Sequence, residues 1–447
     1  MLAALIKEFA ESAPAVHMLI SVQRSWTATE VLALAARWVQ VLERRKKNSV
    51  VFYLKISPDL VAAIVAASRL GMAVTVVRRC SSLGELRRLH DRFQYDLMVT
   101  DADRGLDIPV EAIYASEVAV AGVEPDFDWR TPGEAAGGGS INILTSGTTG
   151  EPKNVTYSWD ELLAQIPAND RAKRESQRWL LAYNLSHYAG IQVFLHTLLH
   201  HNSLVIAPAQ DAPSMWSAAI QLGVTHISGT PTFWRIVMAQ ANAKELHTLK
   251  HATLSGEIVT EDVLSRLAAL YPDITVSQIY ASTELGSLVS VRDRRPGLPI
   301  ALFEATEAGQ AQFRIVDSEL QVHTPLGGGG WRPTGDLVQV RDGRVFFIGR
   351  KSEVINVGGI KVHPQIVESL VTPVEGVLFA RAVGHPNPIT GQIVRLDVVL
   401  QAGHERESVE AKIRAVCNAL ENHAKPRQIR YLDSIETNNM KLTRRVS

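Results

Sequence analysis

The sequence predicts an α/β fold: a large N-terminal domain of αβ-layered subdomains with a β-rich subdomain, followed by a small α+β C-terminal domain. Three observations predict it. Short apolar runs alternate with helix-spaced segments through the first part of the chain, the pattern of a parallel sheet covered on both faces. From about residue 300 the texture changes to short alternating strands, which read as antiparallel structure. Beyond Gly349 a unit of about one hundred residues mixes strand signals with a helix, a size ordinary for a domain.

The elements follow in order. Residues 28–47 carry apolar positions at helical spacing, with Thr27 or Thr29 as the cap. Residues 49–54 form a short apolar run that reads as a buried strand. Residues 60–70 read as a helix and 73–77 as the next strand. The pattern recurs at 179–183, 203–206 and 225–228. Residues 132–140 are rich in Gly, Ala and Glu and read as a loop running into a strand at 141–144. Alternating strands are expected at 311–316, 337–340 and 345–348. Later strands fall at 377–383 and 394–400, with a helix at 409–420. The boundary is placed close to residue 350, giving domains 1–350 and 351–447.

Composition narrows the class. The 447 residues are 46% apolar and 21% charged, as in an ordinary water-soluble globular chain. Lys plus Arg and Asp plus Glu number 46 each, so the formal charge is zero. Such a balance offers no broad basic field for nucleic acid or an anionic membrane. The run Glu43-Arg44-Arg45-Lys46-Lys47 reads as a solvated helix end. Two cysteines far apart, Cys80 and Cys417, exclude a disulfide framework and a Cys-rich zinc site. The N-terminus meets charge at Lys7 and Glu8, too early for a secretory signal. The longest apolar candidate, 60–77, is broken by Arg69 and Gly71, so no membrane span is expected. A cytoplasmic location is expected.

The sharpest motif is Thr145-Ser146-Gly147-Thr148-Thr149-Gly150-Glu151-Pro152-Lys153, directly after an expected strand. Successive Gly, Ser and Thr residues let backbone N–H groups and hydroxyls converge on phosphate oxygens, and Lys153 adds a point charge. It is not the common P-loop, because Pro152 stands where a Gly must precede the Lys. Taken alone, its competing reading is a flexible Ser/Gly/Thr linker.

This string resembles the phosphate-loop signature of the adenylate-forming superfamily, which includes acyl-CoA synthetases, adenylation domains and luciferases. Further segments resemble that family's signatures in order. Tyr280-Ala281-Ser282-Thr283-Glu284 resembles its Tyr-Gly-x-Thr-Glu segment, with Ala281 at the usual Gly. The resemblance implies Tyr280 on adenine, Thr283 on phosphate and Glu284 on Mg²⁺, a metal that prefers hard carboxylate oxygen. Thr334-Gly335-Asp336 resembles the ribose-binding Thr-Gly-Asp; alone it reads as a turn before a strand. Gly349-Arg350-Lys351-Ser352-Glu353 resembles the inter-domain hinge, with Arg350 reaching the ribose or α-phosphate. Ser352 stands at a hinge position usually held by Asp or Lys. Asn356-Val357-Gly358-Gly359-Ile360-Lys361 is similar to the mobile loop that lines the pantetheine tunnel. Met440-Lys441-Leu442-Thr443-Arg444 resembles the Gly-Lys-x-x-Arg tail, with Met440 at the Gly.

Two weaker matches complete the set. Leu185-Ser186-His187-Tyr188 resembles the acyl-pocket gate, which makes His187 a candidate beside the substrate carboxylate. Leu254-Ser255-Gly256-Glu257 sits where the family has a stretch near adenine, which adds Gly256 and Glu257. Phe233, Trp234, His187 and Ser255 are candidates to line the acid pocket.

The resemblance implies a ligase. ATP activates a small carboxylic acid to acyl-AMP and releases pyrophosphate. The acyl group then passes to the thiol of coenzyme A or of phosphopantetheine on a separate acyl carrier protein. Lys441, Lys153 and Mg²⁺ on Glu284 would offset repulsion between the carboxylate and the α-phosphate. The small domain would then rotate about Ser352, withdrawing Lys441 and bringing Gly358-Gly359 to the site. The departures at Ala281, Ser352 and Met440 motivate one alternative, a nucleotide-binding protein without catalysis on the same fold.

Overall fold

A computed structural model describes the chain except residues 80, 103–105, 120–138, 147–151, 168–176, 305–310, 325–329, 436, 439–440 and 443–447. It divides into two compact units, 1–228 with 246–249, and 229–245 with 250–447. The boundary expected near 350 falls inside the second unit.

The first unit holds two largely parallel sheets. One runs Glu111–Tyr114, Leu97–Thr100, Ser49–Tyr53, Ala73–Val76, Ser140–Ser146, all parallel, and closes on Pro152–Ser158 antiparallel. The Pro58–Arg69 helix joins the Ser49–Tyr53 and Ala73–Val76 strands. It is apolar almost all round, and residues 60–68 are fully buried, as in a helix enclosed by its own domain. Pro58 at its first turn and Ser57 accepting from Leu60 N–H fix its start. The other sheet orders Ser25–Thr27, His17–Ile20, Ser203–Val205, Arg178–Leu180 and His226–Gly229. The helix expected from residue 28 is Ala28–Glu43. Thr27 caps it, and Glu30 returns a bond to the Thr27 N–H in a reciprocal capping box.

The second unit pairs His251–Ser255 with Thr275–Ser282 in parallel, and Thr275–Ser282 with Gly286–Val291 antiparallel. A five-stranded antiparallel sheet follows, ordered Leu298–Pro299, Arg344–Arg350, Arg332–Arg341, Glu319–His323, Gln312–Val316. The last sheet is built on the long hairpin Val377–Asn387 and Gly391–Leu400, with Gln428–Tyr431 parallel to the latter. The helices Pro364–Val371 and Arg406–Cys417 share one core with it, around Val367, Ala382, Leu396 and Ile413.

Asp397 lies on the other face of that sheet, fully buried. Arg381 donates to it at 2.7 Å, Arg395 at 3.0 Å and Arg430 at 2.9 and 3.0 Å. Burial pushes its carboxyl up, but the bonds from Arg430 and Arg381 and the charge of Arg395 outweigh that, and the pKa ends lowered. A lowered native pKa contributes stability above the ordinary carboxyl range, and that contribution is lost as pH falls through the native value. Asp397→Asn leaves buried guanidinium groups without their counter-charge, so it is expected to cost about 3–5 kcal/mol. Chemical denaturation should show this penalty at neutral pH and show it shrinking below about pH 4.

Candidate active site

The two ends of the Thr145–Lys153 segment lie on paired antiparallel strands. Thr145 lies opposite Lys153 and Ser146 opposite Pro152, so the two strands bring the segment's ends together. Gly147, Thr148, Thr149 and Gly150 lie outside the described residues. Lys153 is exposed. The buried Thr145 hydroxyl has no hydrogen-bond partner among the described residues. A buried hydroxyl at the end of this strand fits a donor to a phosphate oxygen.

Also in the first unit, His187 is the N-cap residue of the Tyr188–Leu199 helix. Asn184 shapes the turn before it: its carbonyl accepts from His187 N–H at 3.1 Å and its side chain from Ser186 N–H at 2.9 Å. Gly190 permits this closure, because a Cβ there would lie 2.2 Å from the Asn184 carbonyl oxygen. The backbone around His187 is thus fixed by sequence-local contacts.

The second unit gathers three of the expected residues into one cluster. Tyr280 donates its hydroxyl to Asp336 Oδ2 at 2.7 Å, and Arg350 Nε meets Asp336 Oδ1 at 2.9 Å. Asp336 and Arg350 sit directly opposite each other on paired strands. The Tyr280 ring centroid lies 4.9 Å from that of Phe347. Burial pushes the Asp336 carboxyl up, against the opposing pull of Arg350 and Tyr280. Burial likewise pushes the Tyr280 hydroxyl up, and the neighbouring Asp336 charge adds to it. An ionised Asp336 therefore depends on its donors, which fits a carboxylate kept to accept hydrogen bonds from a polyol.

Thr334-Gly335-Asp336 does not precede a strand; it lies within Arg332–Arg341. The register against Glu319–His323 shifts here, and Gly335 has φ +76°. That is a β-bulge, a device that re-aims the following side chain. Thr334 Oγ1 secures it by donating to Leu320 O at 2.9 Å and accepting from Asp336 N–H at 3.1 Å.

Ala281 and Ser282 end the Thr275–Ser282 strand, and Thr283-Glu284-Leu285 turn the chain back. Ser282 Oγ accepts from Leu285 N–H at 3.1 Å and closes that turn. Glu284 is exposed at its tip. No group of three metal-ligating side chains occurs among the described residues. One carboxylate on a fixed turn still fits Mg²⁺, which binds through one or two carboxylates while substrate phosphates and water complete the shell.

Glu257 also holds a helix. Its carboxylate accepts from Thr232 N–H at 2.9 Å and from Thr232 Oγ1 at 3.0 Å, so it caps the Pro231–Met238 helix. Gly256 beside it has φ +83°. Phe233 and Trp234 are both 0% exposed, and Trp234 Nε1 donates to Thr253 O at 3.2 Å. They are core residues here rather than open pocket walls. Ser255 is buried at the end of its strand.

Gly358 and Gly359 join Ile355–Val357 to Ile360–Val362 as a two-residue turn with φ +59° and +89°. Both angles lie in the left-handed region that favours glycine, and Gly359 N–H bonds Asn356 Oδ1 at 3.0 Å. Arg350 ends its strand, a short 3-10 turn Lys351–Glu353 follows, and Ser352 within it is exposed. Lys441 lies in the Lys441–Leu442 strand, paired with Thr437–Asn438, rather than in a frayed tail. Met440, Thr443 and Arg444 lie outside the described residues.

Glu319 was not visible as a site residue from sequence. Its carboxylate accepts from Gly335 N–H at 3.1 Å and from Lys351 Nζ at 3.1 Å. A single Glu beside Leu320 in an alternating strand carries no signal beyond a solvated outer face.

Comparison with known proteins places the chain among relatives. The acetyl-coenzyme A synthetase of Bacillus subtilis (strain 168) is 23% identical over 462 residues, 90% of this chain and 80% of that protein. A 2-succinylbenzoate–CoA ligase of Bacillus cereus is 24% identical over 440 residues, 90% of this chain and 88% of that one. In fold, the chain is similar to the o-succinylbenzoate CoA synthetase of Bacillus subtilis, solved in complex with the acyl-adenylate intermediate OSB-AMP. The TM-score is 0.77 at 19% identity, covering 98% of this chain and 96% of that one. No helix among the described residues is long and apolar enough to cross a membrane. A family model described as AMP-binding enzyme matches residues 6–330, most of the chain, and this protein belongs to that family.

Proposed function

We propose that this protein is an AMP-forming acid–thiol ligase. It activates a small carboxylic acid with ATP to acyl-AMP, releases pyrophosphate, and transfers the acyl group to the thiol of coenzyme A. The observation that carries this reading is the buried Asp336 carboxylate, aimed by a bulge and held between Tyr280 and Arg350. Family membership and CoA-ligase relatives support it.

The roles follow from chemistry. Asp336 accepts hydrogen bonds from both ribose hydroxyls, and Arg350 supplies positive charge beside them. Tyr280, Ala281 and Ser282 face the adenine side, with Gly256 and Glu257 in the neighbouring turn. Thr145, Ser146, the Gly147–Gly150 loop, Lys153 and Thr283 bind phosphate oxygens. Glu284 would hold Mg²⁺, which would offset the negative charge of the phosphates. Lys441 supplies the positive charge that offsets the repulsion between the acid and the α-phosphate. His187 orients the acid. No side-chain nucleophile is needed, because the substrate carboxylate itself attacks phosphorus and pyrophosphate leaves.

In the second step a thiol attacks the acyl carbon and AMP leaves. Residues 351–447 act as a lid that turns on residues 1–350 about Ser352, exchanging Lys441 for Gly358-Gly359. The glycine turn suits a thin pantetheine arm, because no side chain projects from it. The same arm on a separate carrier protein is the alternative acceptor. Mass spectrometry of products from ATP, coenzyme A and a panel of acids tests the reading. AMP with an acyl-CoA supports it. AMP formed only when a phosphopantetheinylated carrier is added moves the acceptor to the carrier.

A further inference from the structure

Glu319 opens the Glu319–His323 strand, and the mechanism above gives it no role. Its side chain is 14% exposed and holds two groups at once: the Gly335 N–H and the Lys351 ammonium. Gly335 is the bulge residue that aims Asp336. Lys351 stands one residue before Ser352. One carboxylate therefore ties the ribose-facing strand to the segment on which the lid turns.

The other charged residues of that segment are tied as well. Arg350 pairs with Asp336 at 2.9 Å. Beyond Ser352, Gln365 of the Pro364–Val371 helix donates to Glu353 Oε2 at 2.8 Å. Lys351 is thus attached to the Glu319–His323 strand and Glu353 to a helix of the C-terminal part. Exposed Ser352 lies between the two attachments. A rotation that keeps both must be absorbed by the Ser352 backbone.

We infer that Glu319 is a positioning residue with two separable tasks. Through Gly335 it holds Asp336 in register for the nucleotide. Through Lys351 it fixes the near side of the pivot at Ser352. Both tasks rest on the function proposed above, the first on nucleotide binding and the second on rotation about Ser352.

Three variants separate the tasks. Glu319→Gln keeps an oxygen for the Gly335 N–H and removes the charge opposite Lys351. Glu319→Ala removes both. Lys351→Gln breaks the pair from its exposed side, where folding is not at stake. Amide hydrogen exchange of the 349–354 segment, read by mass spectrometry, should speed up about fivefold in all three. The dissociation constant for ATP, measured by calorimetry, should rise about tenfold in Glu319→Ala and far less in Glu319→Gln. Equal ATP weakening in the Ala and Gln variants overturns the two-task assignment. So does wild-type exchange in Lys351→Gln. If ATP binds no variant or parent while the exchange pattern holds, the ligase reading falls and the Glu319–Lys351 attachment stands as a structural tie alone.

Discussion

Lys441→Ala is expected to lower adenylation by about 10³-fold while leaving thioester formation from a supplied acyl-adenylate within about threefold of wild type. The reason is electrostatic. A carboxylate approaching the α-phosphate brings like charges together, and a preorganised ammonium between them offsets that cost in the transition state. Once acyl-AMP exists, the thiol attacks a neutral carbonyl carbon, and the lysine has no charge to offset there. The backbone at Lys441 is held by pairing with Asn438, so alanine at 441 keeps the strand in which it sits. Rapid-quench assays of the two half-reactions measure the split. Equal loss in both would overturn the rotation of residues 351–447 about Ser352.

Asp336→Ala should reduce kcat/KM for ATP by about 10²-fold, the scale of two charge-assisted hydrogen bonds lost together. The change also leaves the Tyr280 hydroxyl and the Arg350 guanidinium without their shared acceptor. A pH profile adds a second signature. Burial raises the Asp336 pKa, so the carboxylate protonates at a higher pH than an ordinary Asp. Below that pKa it accepts fewer bonds and loses its attraction to Arg350, so kcat/KM for ATP falls on acidification. The wild-type acid limb should therefore begin above the ordinary Asp range, and Asp336→Ala should lack it. A variant with the same limb would show that another group titrates.

Periodicity made the layered fold legible. The run at 49–54 became Ser49–Tyr53, and the capped helix expected from 28 became Ala28–Glu43. Thr27 and Glu30 announce that helix by chemistry that acts over three residues. The Thr334-Gly335-Asp336 segment was legible as a motif but not in shape. Its bulge depends on the register of a strand fourteen residues away, which no local pattern encodes. Glu319 escaped for the same reason, since its partners lie sixteen and thirty-two residues off. Phe233 and Trp234 read as pocket aromatics, yet Thr230-Pro231 begins a helix by the cap and first-turn rule, and that helix faces the core. Glu257 also caps that same helix through Thr232, a contact twenty-five residues away that no local pattern encodes.

The central claim is that this chain forms an acyl-adenylate. Exchange of labelled pyrophosphate into ATP, run without any thiol over a panel of aryl, aliphatic and amino acids, measures that step alone. The account predicts exchange that depends on one class of acid and is lost in Lys441→Ala. A protein that binds ATP yet exchanges pyrophosphate with no acid in the panel would contradict it and leave a nucleotide-binding protein without catalysis.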